Sequence, residues 1–312
     1  MNKKIKILLT GSTGMVGRNI LEKSHDFPYE ILSPDSKTLN LLDKNNVEEF
    51  LCSNDPDVVV HCAGLVGGIQ ANIQNPVEFL QQNAYMGLNL INKCKEAKIK
   101  TFLNLASSCM YPRNIENPLK EEYLLRGELE PTNEGYALAK ILSTKLCEYI
   151  AKSDPNLHYK TIIPCNLYGK YDKFDSIRAH LIPAVISKIH HAKVNNISRV
   201  EIWGDGQARR EFMYAEDLAE FIFYAIKNFE SMPQNLNVGL GYDYSIMEYY
   251  TIIADIIGYQ GSFYFDAKKP SGMKQKTIDN QKLKKFGWSP KTNISEGIKK
   301  TYIYYLKEVA DV

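Results

Sequence analysis

The chain has 312 residues, 44% of them apolar and 24% charged, with a formal net charge of +2. This is the profile of an ordinary globular protein, long enough for one large α/β unit or two smaller ones. The near-neutral balance gives no footing for a nucleic-acid or membrane-surface partner, and no stretch has the apolar length of a transmembrane helix.

The chain starts Met1-Asn2-Lys3-Lys4, basic and then apolar, but the apolar run stops at Leu9, too short for the core of a signal peptide. Six cysteines (Cys52, Cys62, Cys94, Cys109, Cys147 and Cys165) are scattered with no C-x-x-C pair. That argues against a disulfide framework or a zinc site. No metal is expected, and a reducing cytoplasm is the expected location.

The apolar run 5–9 reads as a buried parallel strand, and 19–23 as the first turns of a helix. Between them lies Thr10-Gly11-Ser12-Thr13-Gly14-Met15-Val16-Gly17-Arg18. A strand, a glycine turn and a helix bring backbone N–H groups and a helix N-terminus to one point, which suits a pyrophosphate. Gly11 permits the tight turn, Gly14 lets the backbone approach phosphates, and Gly17 lets the helix close on the strand. The spacing is G-x-x-G-x-x-G, not the standard G-x-G-x-x-G. Candidate dinucleotide contacts are therefore Gly11, Ser12, Thr13, Gly14, Met15, Val16 and Gly17.

Further along, 29–33, 57–62, 101–106 and 160–165 read as strands, with helices at 45–52 and 76–97 between them. Alternation of this kind predicts an α/β fold with a doubly wound parallel sheet of the Rossmann type, and ligands outside the carboxyl ends of its strands. Polar clusters at 10–17, 64–69 and 106–111 follow three of those ends. After Asn166 the segments shorten. A turn at 203–206, an apolar helix at 215–227, a strand at 263–265, a polar loop at 268–276 and a terminal helix from Ser295 complete the reading. The expected division is a dinucleotide-binding domain over 1–165, rejoined by about 205–232, and a smaller C-terminal α/β substrate-binding domain over 166–312.

Tyr136 and Lys140 stand four residues apart, on one face of a helix. Free tyrosine titrates near ~10, and a neighbouring ammonium favours the phenolate, so the pair is expected to give a tyrosine with a lowered pKa. Ser107, after the strand 101–106, is the natural third partner, its hydroxyl placed to polarise a substrate oxygen.

Together the glycine turn, Ser107 and Tyr136-x-x-x-Lys140 resemble the extended short-chain dehydrogenase/reductase superfamily. Further motifs, in order along nearly the whole chain, resemble the GDP-L-fucose synthase family. They are Val66-Gly67-Gly68-Ile69-x-Ala71-Asn72, Ser107-Ser108-Cys109-Met110-Tyr111-Pro112, Asn166-Leu167-Tyr168-Gly169, His180-Leu181-Ile182-Pro183-Ala184, Trp203-Gly204-x-Gly206, Arg210-Glu211-Phe212 with Asp217, Asn237-Val238-Gly239, and Phe265-Asp266-Ala267-x-Lys269-Pro270. The resemblance implies epimerisation of a GDP-4-keto-6-deoxy sugar at C3 and C5, then reduction at C4 with NADPH. It implies Tyr136 as the acid of the reduction, Lys140 on the nicotinamide ribose, Ser107 on the C4 oxygen, Cys109 as epimerisation base and His180 as its acid. It adds Asp43, Ala63, Pro164 and His180 to the dinucleotide contacts. Ser108, Asn166, Lys188, Trp203, Arg210 and Lys276 become substrate contacts, the basic ones facing the diphosphate. A homodimer through helices of the first domain is implied as well.

Two departures from that pattern stand out. Members that prefer NADP carry arginines where this chain has Thr13 and Ser33-Pro34-Asp35-Ser36-Lys37. Lys37, or Arg18 reaching back, is left to take a 2′-phosphate, while Asp35 suits the free 2′-hydroxyl of NAD. NADP(H) is the expected cofactor, because a biosynthetic reductase draws on it. The loop 170–179 also differs, and keeps open a reductase that acts on a GDP-4-keto-6-deoxyheptose without epimerising. A 4-epimerase or dehydratase with bound NAD, and a dinucleotide sensor without turnover, are weaker alternatives. The dehydratase would need a Thr-Asp/Glu pair where Ser108-Cys109 stands.

Overall fold

The computed structural model describes residues 4–175, 179–269 and 273–310. In the first half, apolar runs form strands and amphipathic segments form the helices that cover them. The order is β1 (Lys6–Thr10), α1 (Met15–Ser24), β2 (Glu30–Leu32), α2 (Lys44–Asn54), β3 (Val58–His61), α3 (Ile69–Gln74), α4 (Pro76–Glu96), β4 (Thr101–Leu105), α5 (Glu134–Ser153) and β5 (His158–Pro164). Then come β6 (Asn166–Tyr168), α6 (Leu181–Val194), β7 (Arg199–Trp203), β8 (Arg209–Arg210), β9 (Phe212–Tyr214), α7 (Ala215–Lys227) and β10 (Asn235–Val238). The chain ends through β11 (Tyr244–Ser245), α8 (Ile246–Ile257), β12 (Ser262–Asp266), β13 (Gln275–Lys276), α9 (Gln281–Lys285) and α10 (Ile294–Glu308).

Six parallel strands make the central sheet, in the order β10-β5-β4-β3-β1-β2. Strand β1 has β2 on one side and β3 on the other, so connections leave it in opposite directions. That is the switch point where a doubly wound sheet opens a crevice at its carboxyl edge. The inner strands are apolar because helices cover both faces. Leu8, Leu9, Val59 and Phe102 are fully buried, each worth ~1.5–3 kcal/mol against an exposed side chain. One face packs on α1 and α7, the other on α2, α4 and α5. Strand β10, at 235–238, hydrogen-bonds to β5 and closes the sheet.

A second core lies among α6, α8 and α10, with β6, β7 and β9. Its sheets are small: β11-β8-β13, β12-β7 and β6-β9. The register of β13 on β8 sets Lys276 directly opposite Arg210.

Candidate active site

One continuous cavity of about 1630 Å³ runs from the end of β1 to the second core. At its first end the wall is backbone. Gly11 has φ +72°, and a Cβ there would lie 2.6 Å from Ala63 N; a Cβ on Gly17 would lie 2.2 Å from Gly11 O. Both positions exclude a side chain outright. At Gly14, the N-cap of α1, no side chain caps the helix, and the nearest heavy atom to an added Cβ is Gly11 O at 3.4 Å. The turn is thus a backbone cradle at the start of α1, which fits a dinucleotide pyrophosphate. Ser12 Oγ donates to Ser33 O (3.2 Å) and Pro34 O (3.1 Å), fixing the turn to the end of β2. Thr10 Oγ1 and His61 Nδ1 are 2.9 Å apart beneath it. Burial, with Lys140 nearby, pushes His61 down to about 3.

Residues 10–17, Ala63 and Pro164 line this cavity; Asp43 does not. Its carboxylate is spent capping α2, accepting from Asn45 N (2.9 Å) and Asn46 N (3.3 Å). Arg18 does not reach back to the dinucleotide end either. Its guanidinium stacks on the Tyr171 ring at 3.9 Å, a cation–π contact that holds it against the loop after β6. Asp35 lines the cavity, but its Oδ1 accepts from Lys37 N, Thr38 N and Thr38 Oγ1, which ties it into its own turn.

Midway along, β4 and α5 bring Ser107, Cys109, Tyr136 and Lys140 into the same wall. Ser107 opens a short 3₁₀ turn, and its Oγ accepts from Cys109 N at 3.4 Å. Ser108, in that turn, is 2% exposed and outside the lining. Lys140 Nζ donates to Leu105 O at 2.9 Å and stands 5.7 Å from the centre of the Tyr136 ring. The expected lowering of Tyr136 is not found. Burial pushes the phenol up, with Cys109 adding to the rise. Tyr136 is therefore protonated at neutral pH, the form a proton donor needs. Burial also lowers Lys140. It raises the Cys109 thiol, against the opposing pull of Lys276, Ser107 and Lys140.

His180, at the N-cap of α6, lines the cavity too. Burial, then Lys276 and Lys173, push it down to about 4. The resemblance implies His180 as an acid; in this setting the imidazole is neutral at pH 7.

At the far end the wall is charge. Lys188 Nζ donates to Glu201 O at 2.6 Å, and Trp203 Nε1 to Glu201 Oε2 at 3.0 Å. Asn166 Nδ2 donates to Glu211 O at 2.9 Å. Arg210 Nη1 donates to Arg209 O at 2.8 Å, and burial lowers both Arg210 and Lys276. Arg210 lowers Lys276, while Glu130 raises both and Asp243 raises Arg210; a diphosphate beside them would add to that stabilisation. Glu211, absent from the candidate set, fixes the frame. Its Oε1 accepts from Leu240 N (2.5 Å) and Gly241 N (2.9 Å), and its Oε2 from Ile278 N (2.8 Å). The Arg210-Glu211-Phe212 motif carried that signal. Asn133 also lines the cavity and was not singled out, while Asn72 of the 66–72 motif and Asp172 and Lys173 of the 170–179 loop line it without having been named as contacts. The loop residues 176–178 and 270–272, with Pro270 of the last motif, lie outside the described residues.

The parallel sheet, the glycine cradle and the Ser/Tyr/Lys group define a nucleotide-dependent oxidoreductase or epimerase of the short-chain type. The chain belongs to the NAD dependent epimerase/dehydratase family, whose model matches residues 7–239. It is 58% identical over 304 residues to GDP-L-colitose synthase of Yersinia pseudotuberculosis, covering 97% of this chain and 99% of the relative. To GDP-L-fucose synthase of Azorhizobium caulinodans it is 49% identical over 306 residues, covering 98% of each. Among solved structures, a GDP-mannoheptose C4 reductase from Campylobacter jejuni with NADP bound superposes with a TM-score of 0.88 at 30% identity, covering 98% of this chain and 99% of that one.

Proposed function

We propose that this chain reduces the C4 ketone of a GDP-4-keto-6-deoxy sugar with NADPH, after epimerising C3 and C5. The observation that carries the reading is that one cavity is lined by all three groups: the glycine cradle, the set Ser107, Tyr136 and Lys140, and the cations Lys188, Arg210 and Lys276. A sugar nucleotide laid against a dinucleotide would use all three. The relatives named for GDP-L-fucose and GDP-L-colitose support the substrate class, and the NADP-bound neighbour supports the cofactor.

The dinucleotide, when bound, supplies the hydride that reaches C4. Tyr136 donates its phenolic proton to the C4 oxygen, and Ser107 donates a hydrogen bond to the same oxygen. Lys140, fixed on Leu105 O, holds the ribose and the tyrosine. In the earlier step the 4-keto group acidifies the C3 and C5 protons. Cys109 takes such a proton as thiolate, with Lys276 and Lys140 favouring its ionisation against burial. His180 is the partner on the opposite face; a substrate diphosphate beside Lys276 would offset that lysine's depression of the imidazole and favour the imidazolium that returns a proton. Residues 1–165, rejoined by 205–232, hold the dinucleotide in this reading, and residues 166–312 hold the sugar nucleotide.

The working unit is a cytoplasmic homodimer. Val77 and Tyr85 of α4, with Leu138, Leu142 and Tyr149 of α5, are exposed apolar side chains on two helices that pack together. They supply the kind of face a second copy covers.

The test is a panel of GDP-4-keto-6-deoxy hexoses and heptoses and a 3-deoxy hexose, with NADPH and with NADH, product stereochemistry read by NMR. Turnover of a hexose with solvent deuterium at C3 or C5, lost in Cys109→Ser, is the expected result. A second reading, reduction of a heptose without epimerisation, draws on the heptose reductase neighbour; reduction with no deuterium incorporation would establish it. Failure with every substrate would reject both.

A further inference from the structure

The nucleotide end of the cleft holds a carboxylate to which the chemistry above gives no task. Among the described residues, the acidic side chains that line the main cavity are Asp35, Glu130, Asp172 and Asp205. Asp35 belongs to the turn after β2, at the dinucleotide end, and Asp205 Oδ1 accepts from Gln207 N (2.9 Å) in its own turn. Burial pushes the Asp172 carboxyl up to about 7. Glu130 stands with the cations.

Its place follows from two cavities. A smaller cavity of about 470 Å³ is lined by Lys274 and Gln275, and Glu130 and Met273 line both it and the main one. Gln275 and Lys276 are successive residues of β13, so their side chains point to opposite sides of the strand. Lys276 lines the main cavity and Gln275 the smaller one. Glu130 is thus beside β13, where the two cavities adjoin, and β13 sets Lys276 opposite Arg210.

Burial lowers both of those cations, Arg210 lowers Lys276 further, and the Glu130 carboxylate raises both. Asp243 also raises Arg210, but its oxygens are spent on Arg209 Nε (2.5 Å), Gln275 Nε2 (2.7 Å) and Thr277 Oγ1. Glu130 is not so committed. Its one side-chain hydrogen bond among the described residues is from Thr132 Oγ1 to Oε1, at 3.2 Å, which leaves Oε2 open. Buried cations call for negative charge nearby, and here a carboxylate supplies it. A diphosphate drawn to the same cations meets that carboxylate and is repelled by it. We propose that Glu130 is the built-in counter-ion of the nucleotide end: it offsets Arg210 and Lys276 while the site is empty, opposes the diphosphate when the site is filled, and so keeps GDP-bearing ligands exchangeable. The proposal rests on the GDP-sugar reading above.

The test measures Kd by calorimetry for GDP and for inorganic diphosphate, with saturating NADP+ to fill the glycine cradle. It compares wild type, Glu130→Gln, Lys276→Met and the double variant. Glu130 is only partly buried, so glutamine keeps its packing. The expected result is that Glu130→Gln binds both anions about tenfold more tightly. In the Lys276→Met background the gain should shrink to about threefold or less, because both side chains act on the same charge. The Tm of the empty Glu130→Gln protein should fall, and GDP should raise it by more than it raises wild type. A Glu130 that instead accepts from a ribose hydroxyl or a base amine would weaken GDP binding on substitution and leave inorganic diphosphate, which has neither group, unchanged; that result overturns the proposal. A lower Tm with no tightening, the mark of a carboxylate that only shapes its turn, overturns it too, as does unchanged binding of both anions. A wild type that binds neither anion rejects the GDP-sugar reading on which the proposal rests, whereas a wild type that binds GDP, with no gain in Glu130→Gln, rejects this inference alone.

Discussion

At the dinucleotide end of the cleft the wall is main chain: Gly11 and Gly17 have no room for a Cβ, and Gly14 presents an uncapped helix start. At the sugar-nucleotide end the wall is charged side chain, with Lys188 from α6 and Arg210 and Lys276 from two strands of a small sheet. The first end is made by eight consecutive residues. The second needs strand β13 to find β8, across more than sixty positions of sequence. A backbone cradle suits a constant ligand, while a side-chain wall is free to change from one sugar nucleotide to another. The chemistry is lodged between them, on β4 and α5, which belong to the rigid central sheet and its cover.

The variant with the largest expected effect tests the junction. Tyr136→Phe should lower kcat for C4 reduction by on the order of 10²–10⁴-fold, with NADPH affinity and Tm retained. Near-normal turnover would move the acid elsewhere. At the charged end, Lys276→Met should raise KM for the sugar nucleotide about ten- to hundredfold, the range of a lost charge-assisted hydrogen bond, and leave NADPH binding alone. Equal loss of both ligands would mean that the two ends are not separate.

A smaller, graded effect concerns pH. The Cys109 thiol is raised by burial, so its thiolate fraction, and with it solvent exchange at C3 and C5, should grow as pH rises from about 7 to 9. Tyr136 is raised too and stays protonated over that range, so reduction should not gain with it. The ratio of exchange to reduction, followed by deuterium NMR, should therefore climb with pH; a flat ratio would remove Cys109 as the base.

The same contrast explains what was legible in the sequence. Helix 215–227 falls where its apolar pattern put it, and strands β1, β3, β4 and β5 lie within a few residues of their apolar runs. The glycine turn and the Tyr136/Lys140 spacing are local signals, and both meet at the cavity. Charge states were not legible. Tyr136 reads as lowered by Lys140 until its burial is counted. His180, the acid that the resemblance implies, becomes a neutral imidazole once burial and two lysines are counted. Arg18 and Asp43 look like ligand contacts until Tyr171 and the start of α2 claim them. The placing of Glu130 beside Arg210 and Lys276 had no sequence signature, because strand β13 brings these residues together only in three dimensions.

The most direct measurement of the central claim follows the hydride. NADPH deuterated at nicotinamide C4 is mixed with wild-type protein and a GDP-4-keto-6-deoxy sugar, and the product is analysed by mass spectrometry and NMR. The account predicts one deuterium, at sugar C4, and its loss together with NADPH oxidation in Tyr136→Phe. Product without label at C4, or label delivered undiminished by the Tyr136→Phe protein, would contradict it.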